Sequence, residues 1–239
     1  MKVGVKIYIS DYKLIPHYLK YADFIEVLIE PEKDFTVLRQ YETDYVIHVA
    51  HGRFGFNPSD KNAWGLSKRI LDYSKQAADL LSAPKMIVHP GYYENEFSTE
   101  KNILDFIKEN YDPRIILENL PKNTKYKPFF FSTPEEVKRI SEKLEMGICL
   151  DFAHATCTAA TLKVDYLDLI LQLNEFNPKH YHICDGFVIS ETDLHLPFSK
   201  GDYPLEKFKS MIPNDGEVTI ETTPMNIESA LKEIAFLRK

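Results

Sequence analysis

Residues 147–154 read GICLDFAH: an apolar, strand-like run that closes on Asp151 and then His154. Residues 86–91 repeat the arrangement as MIVHPG, apolar up to His89. Runs of this kind suit strands buried on both faces, as in a parallel sheet. Their hydrophilic ends suit a sheet whose rim carries a site.

Six further runs are built the same way: KVGVKIYI (2–9), FIEVLIE (24–30), DYVIHVAH (44–51), RIILEN (114–119), HYHICD (180–185) and EVTIET (217–222). With KMIVHP (85–90) and GICLDF (147–152) they make eight expected strands. Stretches of helical apolar spacing separate most of them, among them AWGLSKRILDYSKQAADLLS (63–82), TEKNILDFIKEN (99–110), TPEEVKRISEKL (133–144) and VDYLDLILQLNEF (164–176). Ser132 or Thr133, followed by Pro134 and two glutamates, reads as a helix start: a cap oxygen, proline in the first turn, and acid facing the helix dipole. NIESALKEIAFLRK (226–239) supplies a closing helix. Near-continuous apolar strands alternating with helices imply a parallel α/β sheet. Eight units in 239 residues, close to the roughly 250 typical of the (β/α)8 TIM barrel, predict that the sheet closes. No glycine-rich phosphate fingerprint follows the first strand, since YISDYKL (8–14) contains no glycine, which counts against a dinucleotide-binding sheet.

With 44% hydrophobic residues and no linker or low-complexity tract, the chain is expected to form a single domain over residues 1–239. Its start, MKVGVKIYIS, lacks the apolar segment of a secretory signal, and no run reaches the ~18 apolar residues of a membrane span. A cytoplasmic location without membrane association is expected. The three cysteines, Cys149, Cys157 and Cys184, form no CxxC pair and read as reduced thiols. A net charge of −7 argues against broad, charge-driven adhesion to nucleic acid. It leaves room for a local site, because Lys13, Arg53, Lys122, Lys125, Lys127 and Lys200 fall in segments expected on one rim, where they are either a basic patch or ordinary solvated charges.

His51, His89, Glu118, Asp151, His182 and Glu221 stand at or near the ends of expected strands three to eight, in unbroken order. In a barrel those ends converge on one mouth, the place where active sites are built. His154 follows in DFAH, and Asp193 and His195 follow strand seven as DLH. Clustered carboxylates repel one another and shift one another's pKa, whereas imidazole and carboxylate lone pairs together suit a divalent cation. A metal site is therefore expected. His48, mid-strand, reads as a structural histidine, and His17 and His180 as surface or strand-start residues. Asp185 and Asp202 either support a ligand or cap a turn. Cys149 and Cys184 share strand faces with Asp151 and His182, where packing is favoured over thiolate coordination.

These segments resemble the endonuclease IV branch of the xylose isomerase-like TIM barrels (AP endonuclease family 2). AHGRFGFN (50–57) is similar to its first histidine motif and selects His51 over His48, with Phe54 and Asn57 following. MIVHPG, IILEN, GICLDFAHA, HICD, TDLH and TIETTP resemble the motifs that carry the remaining ligands. The resemblance spans residues 44–224 and implies two or three zinc ions, or alternatively Mn2+, on His51, His89, Glu118, Asp151, His154, His182, Asp193, His195 and Glu221. It further implies a metal-dependent phosphoesterase, acting on a phosphodiester or sugar phosphate, as in DNA repair at abasic sites. Glu118 or Glu221 would orient the attacking water, and Arg53, Phe54, Asn57 and Lys200 would contact substrate. In place of the family's glycine-rich segment and turn stand LPKNTKYKPFFFSTP (120–134) and LPFSKGDY (196–203).

The sister branch implies the alternative: a sugar or sugar-phosphate isomerase or epimerase holding a single metal on Glu118, Asp151, His182 and Glu221. Its two glutamates would move a proton between adjacent carbons. That chemistry leaves His51, His89, His154, Asp193 and His195 without a required task, so the hydrolase is preferred. A non-catalytic metal-binding barrel ranks third. The expected partners are DNA with abasic sites or a small phosphorylated sugar, with no membrane and no protein partner.

Overall fold

A computed structural model of the protein describes residues 1–122, 128–223 and 226–239. Lys125, Lys127 and Pro224 lie outside the described residues. Eight parallel strands, β1 (Lys2–Tyr8), β2 (Phe24–Ile29), β3 (Asp44–Val49), β4 (Met86–Val88), β5 (Ile115–Glu118), β6 (Gly147–Asp151), β7 (His180–Ile183) and β8 (Glu217–Ile220), close into a barrel in sequence order. β1 pairs with both β2 and β8. The strands are shorter than the apolar runs that encode them. Val49, Val88 and Ile220 end their strands, so His51, His89 and Glu221 stand just beyond the ladder, where backbone direction is set by turns.

The outer layer is uneven. Only α1 (Ile15–Tyr18) and short 3-10 turns follow β1 and β2, whereas full helices follow the later strands: α2 (Trp64–Leu81), α3 (Glu100–Glu109), α4 (Pro134–Leu144), α5 (Phe152–Leu162), α6 (Tyr166–Asn174), α7 (Leu205–Met211) and α8 (Ile227–Leu237). Of these, α2 packs on β3 and α8 on β1. The expected helix start at Thr133 is a full capping box: its hydroxyl accepts from Glu136 N and the Glu136 carboxylate accepts from Thr133 N. α5 has no counterpart among the helices expected from spacing. It begins at the residue where the strand was expected to end.

Period-two alternation sorts the strand residues. Val3, Val5 and Ile7 of β1 join the core under the helices, while Gly4 and Lys6 face the lumen. The lower lumen is filled by Phe24, Val46, Ile87, Ile116 and Cys149, all buried. The Phe24 ring lies directly against Gly4, where a Cβ would stand 2.2 Å from it. Above this apolar plug the lumen turns polar, with Glu26, His48, His180 and Thr219, all fully buried, leading up to the ligand-type residues. No helix among the described residues is long and apolar enough to cross a membrane.

Candidate metal centre

The nine side chains singled out for metal binding converge on the C-terminal mouth of the barrel. Glu118, at the end of β5, is central: Oε2 is 2.9 Å from His89 Nε2, and Oε1 is 3.2 Å from both His154 Nδ1 and His182 Nδ1. His182 Nδ1 is also 2.8 Å from Glu221 Oε1 and 3.8 Å from Asp151 Oδ2. Asp193 Oδ2 lies 2.8 Å from His195 Nε2 and 3.3 Å from His154 Nε2. The His51 ring stacks on His89 at 5.2 Å.

Local structure explains how each is presented. Asp151 closes β6 and caps α5, its Oδ1 accepting from His154 N at 2.7 Å, so one turn aims both residues inward. His195 sits in the left-handed region at φ 47, a strain that a hydrogen bond from Nδ1 to Glu221 O (2.9 Å) holds in place. Asp185, one of the two residues with an open role, organises the loop after β7. Its carboxylate accepts from the backbone N–H groups of Gly186, Lys200, Gly201 and Tyr203, while Asp202 accepts from Val188 N. Both act as turn clamps.

The imidazole protons have defined destinations. Nδ1 of His154 is 2.8 Å from Asn119 O, Nδ1 of His195 is 2.9 Å from Glu221 O, and Nε2 of His182 is 3.0 Å from Glu26 Oε2. Each of these nitrogens donates, so in the neutral ring the opposite nitrogen turns a lone pair toward carboxylate oxygens. Asp151 Oδ2 and Asp193 Oδ2 are buried and make no hydrogen bond among the described residues. Lone pairs converging on common points, with orphaned carboxylate oxygens beside them, are the donor set of divalent cations. The residues fit the metal that the fold implies.

Electrostatics tell the same story without ions. Burial opposes charge on His154, His182 and His195, yet the surrounding carboxylates outweigh it: all three are raised, His195 to about 9 beside Asp193. Burial carries His89 the other way, to about 4. Asp151 is pushed up to about 7 by burial, with Asp193, Glu118 and Glu221 adding to the effect. Burial also opposes charge on Glu118, but His89 and His182 hold it well below the carboxylate range.

Three polar residues with no metal role at the sequence level reach this cluster. Glu26, buried in the middle of β2, accepts from His182 and from Thr219 Oγ1 (2.7 Å), with His180 Nε2 at 3.3 Å. Lys6 of β1 sits 2.5 Å from Glu221 Oε1 and 3.9 Å from Glu26 Oε1; burial opposes its charge, but these carboxylates hold it well above the usual lysine value. His48 is buried and hydrogen-bonded to Val49 O, as a structural histidine should be, yet its Nε2 is also 3.2 Å from Glu118 Oε2. His180 begins β7 and is fully buried, so it is a strand-start rather than a surface residue, whereas His17 is exposed. A charge inside an otherwise apolar strand, as in FIEVLIE and KVGVKIYI, is the signal that could have found Glu26 and Lys6, because such a group must be paired when buried.

Above the cluster opens a cavity of about 890 Å3, walled by the site residues other than Asp151 and His182, together with Lys6, Tyr8, Arg53, Tyr92 and Phe129. Of the residues expected to touch substrate, Arg53 is on this wall. Phe54 stands behind it, edge-on to the His51 ring at 5.8 Å. Asn57 is corrected to a scaffold role. It is 2% exposed, and its side chain exchanges two hydrogen bonds with the Tyr92 backbone. Lys200 is corrected as well, for it lines a separate cleft with Phe198 and Lys232, against α8. Lys122 pairs with Glu136 beside the rim.

Fold and site together define a (β/α)8 barrel with a metal-type centre at its mouth. The chain belongs to the xylose isomerase-like TIM barrel family, whose profile matches residues 22–239. No curated protein matches it. Among solved structures it is similar to a D-tagatose 3-epimerase-like protein (22% identity, TM-score 0.74, covering 99% of this chain and 96% of that one). It is similar also to endonuclease IV from Thermus thermophilus (18%, 0.72, 100% and 98%) and to the IOLI protein with a binding zinc atom (15%, 0.71, 100% and 96%). At these identities the likeness is one of fold. The structures named here include an endonuclease and a D-tagatose 3-epimerase-like protein.

Proposed function

We propose that the protein is a multinuclear, metal-dependent phosphoesterase. One observation carries the reading: nine donors converge, and three of their imidazoles turn lone pairs toward carboxylates at more than one point. His51, His89 and Glu118 would hold one ion, Glu118 with Asp151, His182 and Glu221 a second, and His154, Asp193 and His195 a third. Zinc suits this nitrogen and oxygen set, with Mn2+ the alternative. Bound ions supply Lewis acidity and a water acidic enough to attack near neutral pH.

The chain's own groups do the rest. Glu118 or Glu221 would orient the attacking water. Lys6, on the cavity wall beside Glu221, and Arg53 at the rim favour a substrate carrying negative charge. The cavity has room for a small molecule or a turned-out nucleotide unit, and with these charges the reading is a sugar phosphate or a phosphodiester presenting an extruded abasic sugar. A specific feature favours the second reading, a single-metal sugar isomerase or epimerase: Glu118 and Glu221 both touch His182 beside Asp151, a complete four-ligand site.

Metal analysis of protein purified without added metal separates the two, with two or three ions per chain expected and a single ion supporting the isomerase. Assays on abasic duplex DNA, sugar phosphates and ketoses complete the test. Phosphoester cleavage that Glu118→Gln abolishes is the expected result. Ketose turnover with inert phosphoesters overturns it.

A further inference from the structure

We infer that Cys184 is a ligand of the ion held by His154, Asp193 and His195, closing that site with sulfur and committing it to zinc. The inference rests on the multinuclear reading above and adds the identity of one ion and its coordination. Cys184 comes two residues after His182, just past the end of β7, and is 1% exposed. Its Sγ is 3.8 Å from Asp193 Oδ1, and Sγ, an Asp193 oxygen and a His195 nitrogen all lie within 4.8 Å of one another. On the other side of the same carboxylate, Oδ2 is buried without a hydrogen bond among the described residues, facing Nε2 of His154 and of His195 at 3.3 and 2.8 Å.

The three separations around Asp193, 2.8, 3.3 and 3.8 Å, bracket those between neighbouring ligands of one tetrahedral ion. Zinc bonds of about 2.0 Å to nitrogen or oxygen and about 2.3 Å to sulfur separate neighbouring donors by roughly 3.3 to 3.5 Å. The nitrogens of both histidines that face away are already committed to backbone carbonyls, which fixes the two Nε2 atoms as donors. As the zinc–sulfur bond forms, the thiol proton leaves to solvent. Thiolate and Asp193 carboxylate together then neutralise the dication. A neutral ion with four protein ligands has no open position for water, and sulfur selects zinc over magnesium or manganese. This ion would tie the loop carrying Asp193 and His195 to β6 and β7, leaving the hydrolytic work to the positions around Glu118. Cys149, in the apolar plug, and Cys157, on α5, are buried thiols outside the set and serve as internal controls.

The test replaces zinc with cobalt(II), whose thiolate complexes absorb strongly in the near ultraviolet where nitrogen and oxygen complexes do not. The wild-type protein should show the band. Cys184→Ser should lose it entirely, and Cys149→Ser and Cys157→Ser should keep it. Zinc X-ray absorption on the unsubstituted protein, which needs no variant to fold and averages over every bound ion, should show about a half to a third of a sulfur per zinc at about 2.3 Å. Two or three bound ions without a sulfur signal overturn the inference while leaving the multinuclear reading intact. A single ion, or none, overturns both.

Discussion

Glu26 shows what a single side chain can contribute without touching an ion. Its Oε2 accepts from His182 Nε2 at 3.0 Å, which decides the nitrogen His182 offers to the centre, while Lys6 near its other oxygen holds Glu221. Outer partners of this kind are commonly worth about 10 to 100-fold in metal affinity. Glu26→Leu is expected to weaken zinc binding by about that factor, measured by competition with a chromophoric chelator. Glu26→Gln keeps an acceptor oxygen and should recover most of the loss. Equal weakening in both variants would point to general loosening of the lumen. The nine residues that converge at the mouth could be singled out in sequence because each interrupts or follows an apolar run. Glu26 and Lys6 were not read as part of the centre, since they stand inside runs that still look like ordinary strands.

At the level of elements, the strands and four long helices could be read from periodicity, and α5 could not. Residues 152–159 of α5 are all buried, so FAHATCTAATL lacks the polar stripe that marks a surface helix. The loops that present the ligands depend on turn chemistry that spacing does not encode. Gly91, at φ 129, follows His89-Pro90 and passes so close to Asn57 that a Cβ would lie 2.7 Å from its Oδ1. Asn57 in turn holds the Tyr92 backbone, and so the loop after β3 and the loop after β4 set each other's shape. Gly91→Ala should cost about 1–3 kcal/mol in urea unfolding of the metal-free protein and weaken the ion at His89. A variant as stable as the parent would show that the Asn57 contact gives way freely. The shift of Asn57 from substrate contact to scaffold follows from the same geometry. A motif can persist for its turn as readily as for its chemistry.

For the molecule as a whole, the cluster makes stability depend on pH in a direction set by its largest shifts. His195 is raised from the ordinary imidazole value to about 9, so the stabilisation it gives the metal-free fold is complete below about pH 6.5 and lost as pH climbs through 9. Asp151, raised to about 7, acts in the same sense, because its charged form is the costly one when buried. The melting temperature of metal-free protein is therefore expected to fall between about pH 6.5 and 9. Zinc-loaded protein should hold nearly constant, since ions replace the protons. A metal-free curve that rises over this window, followed by calorimetry, would contradict the charge arrangement. The closed barrel was foreseeable from eight evenly ordered runs. The short connections after β1 and β2 were not, because 3-10 turns leave little periodic trace.

The apolar plug below the centre, with the Phe24 ring seated on Gly4, makes the lumen a dead end. Whatever enters at the mouth must back out by the same doorway, spent pieces included, before the next molecule can arrive. Arrival and departure thus share one portal, and a long polymer can lend the barrel a tip or a turned-out unit but can never be threaded through it.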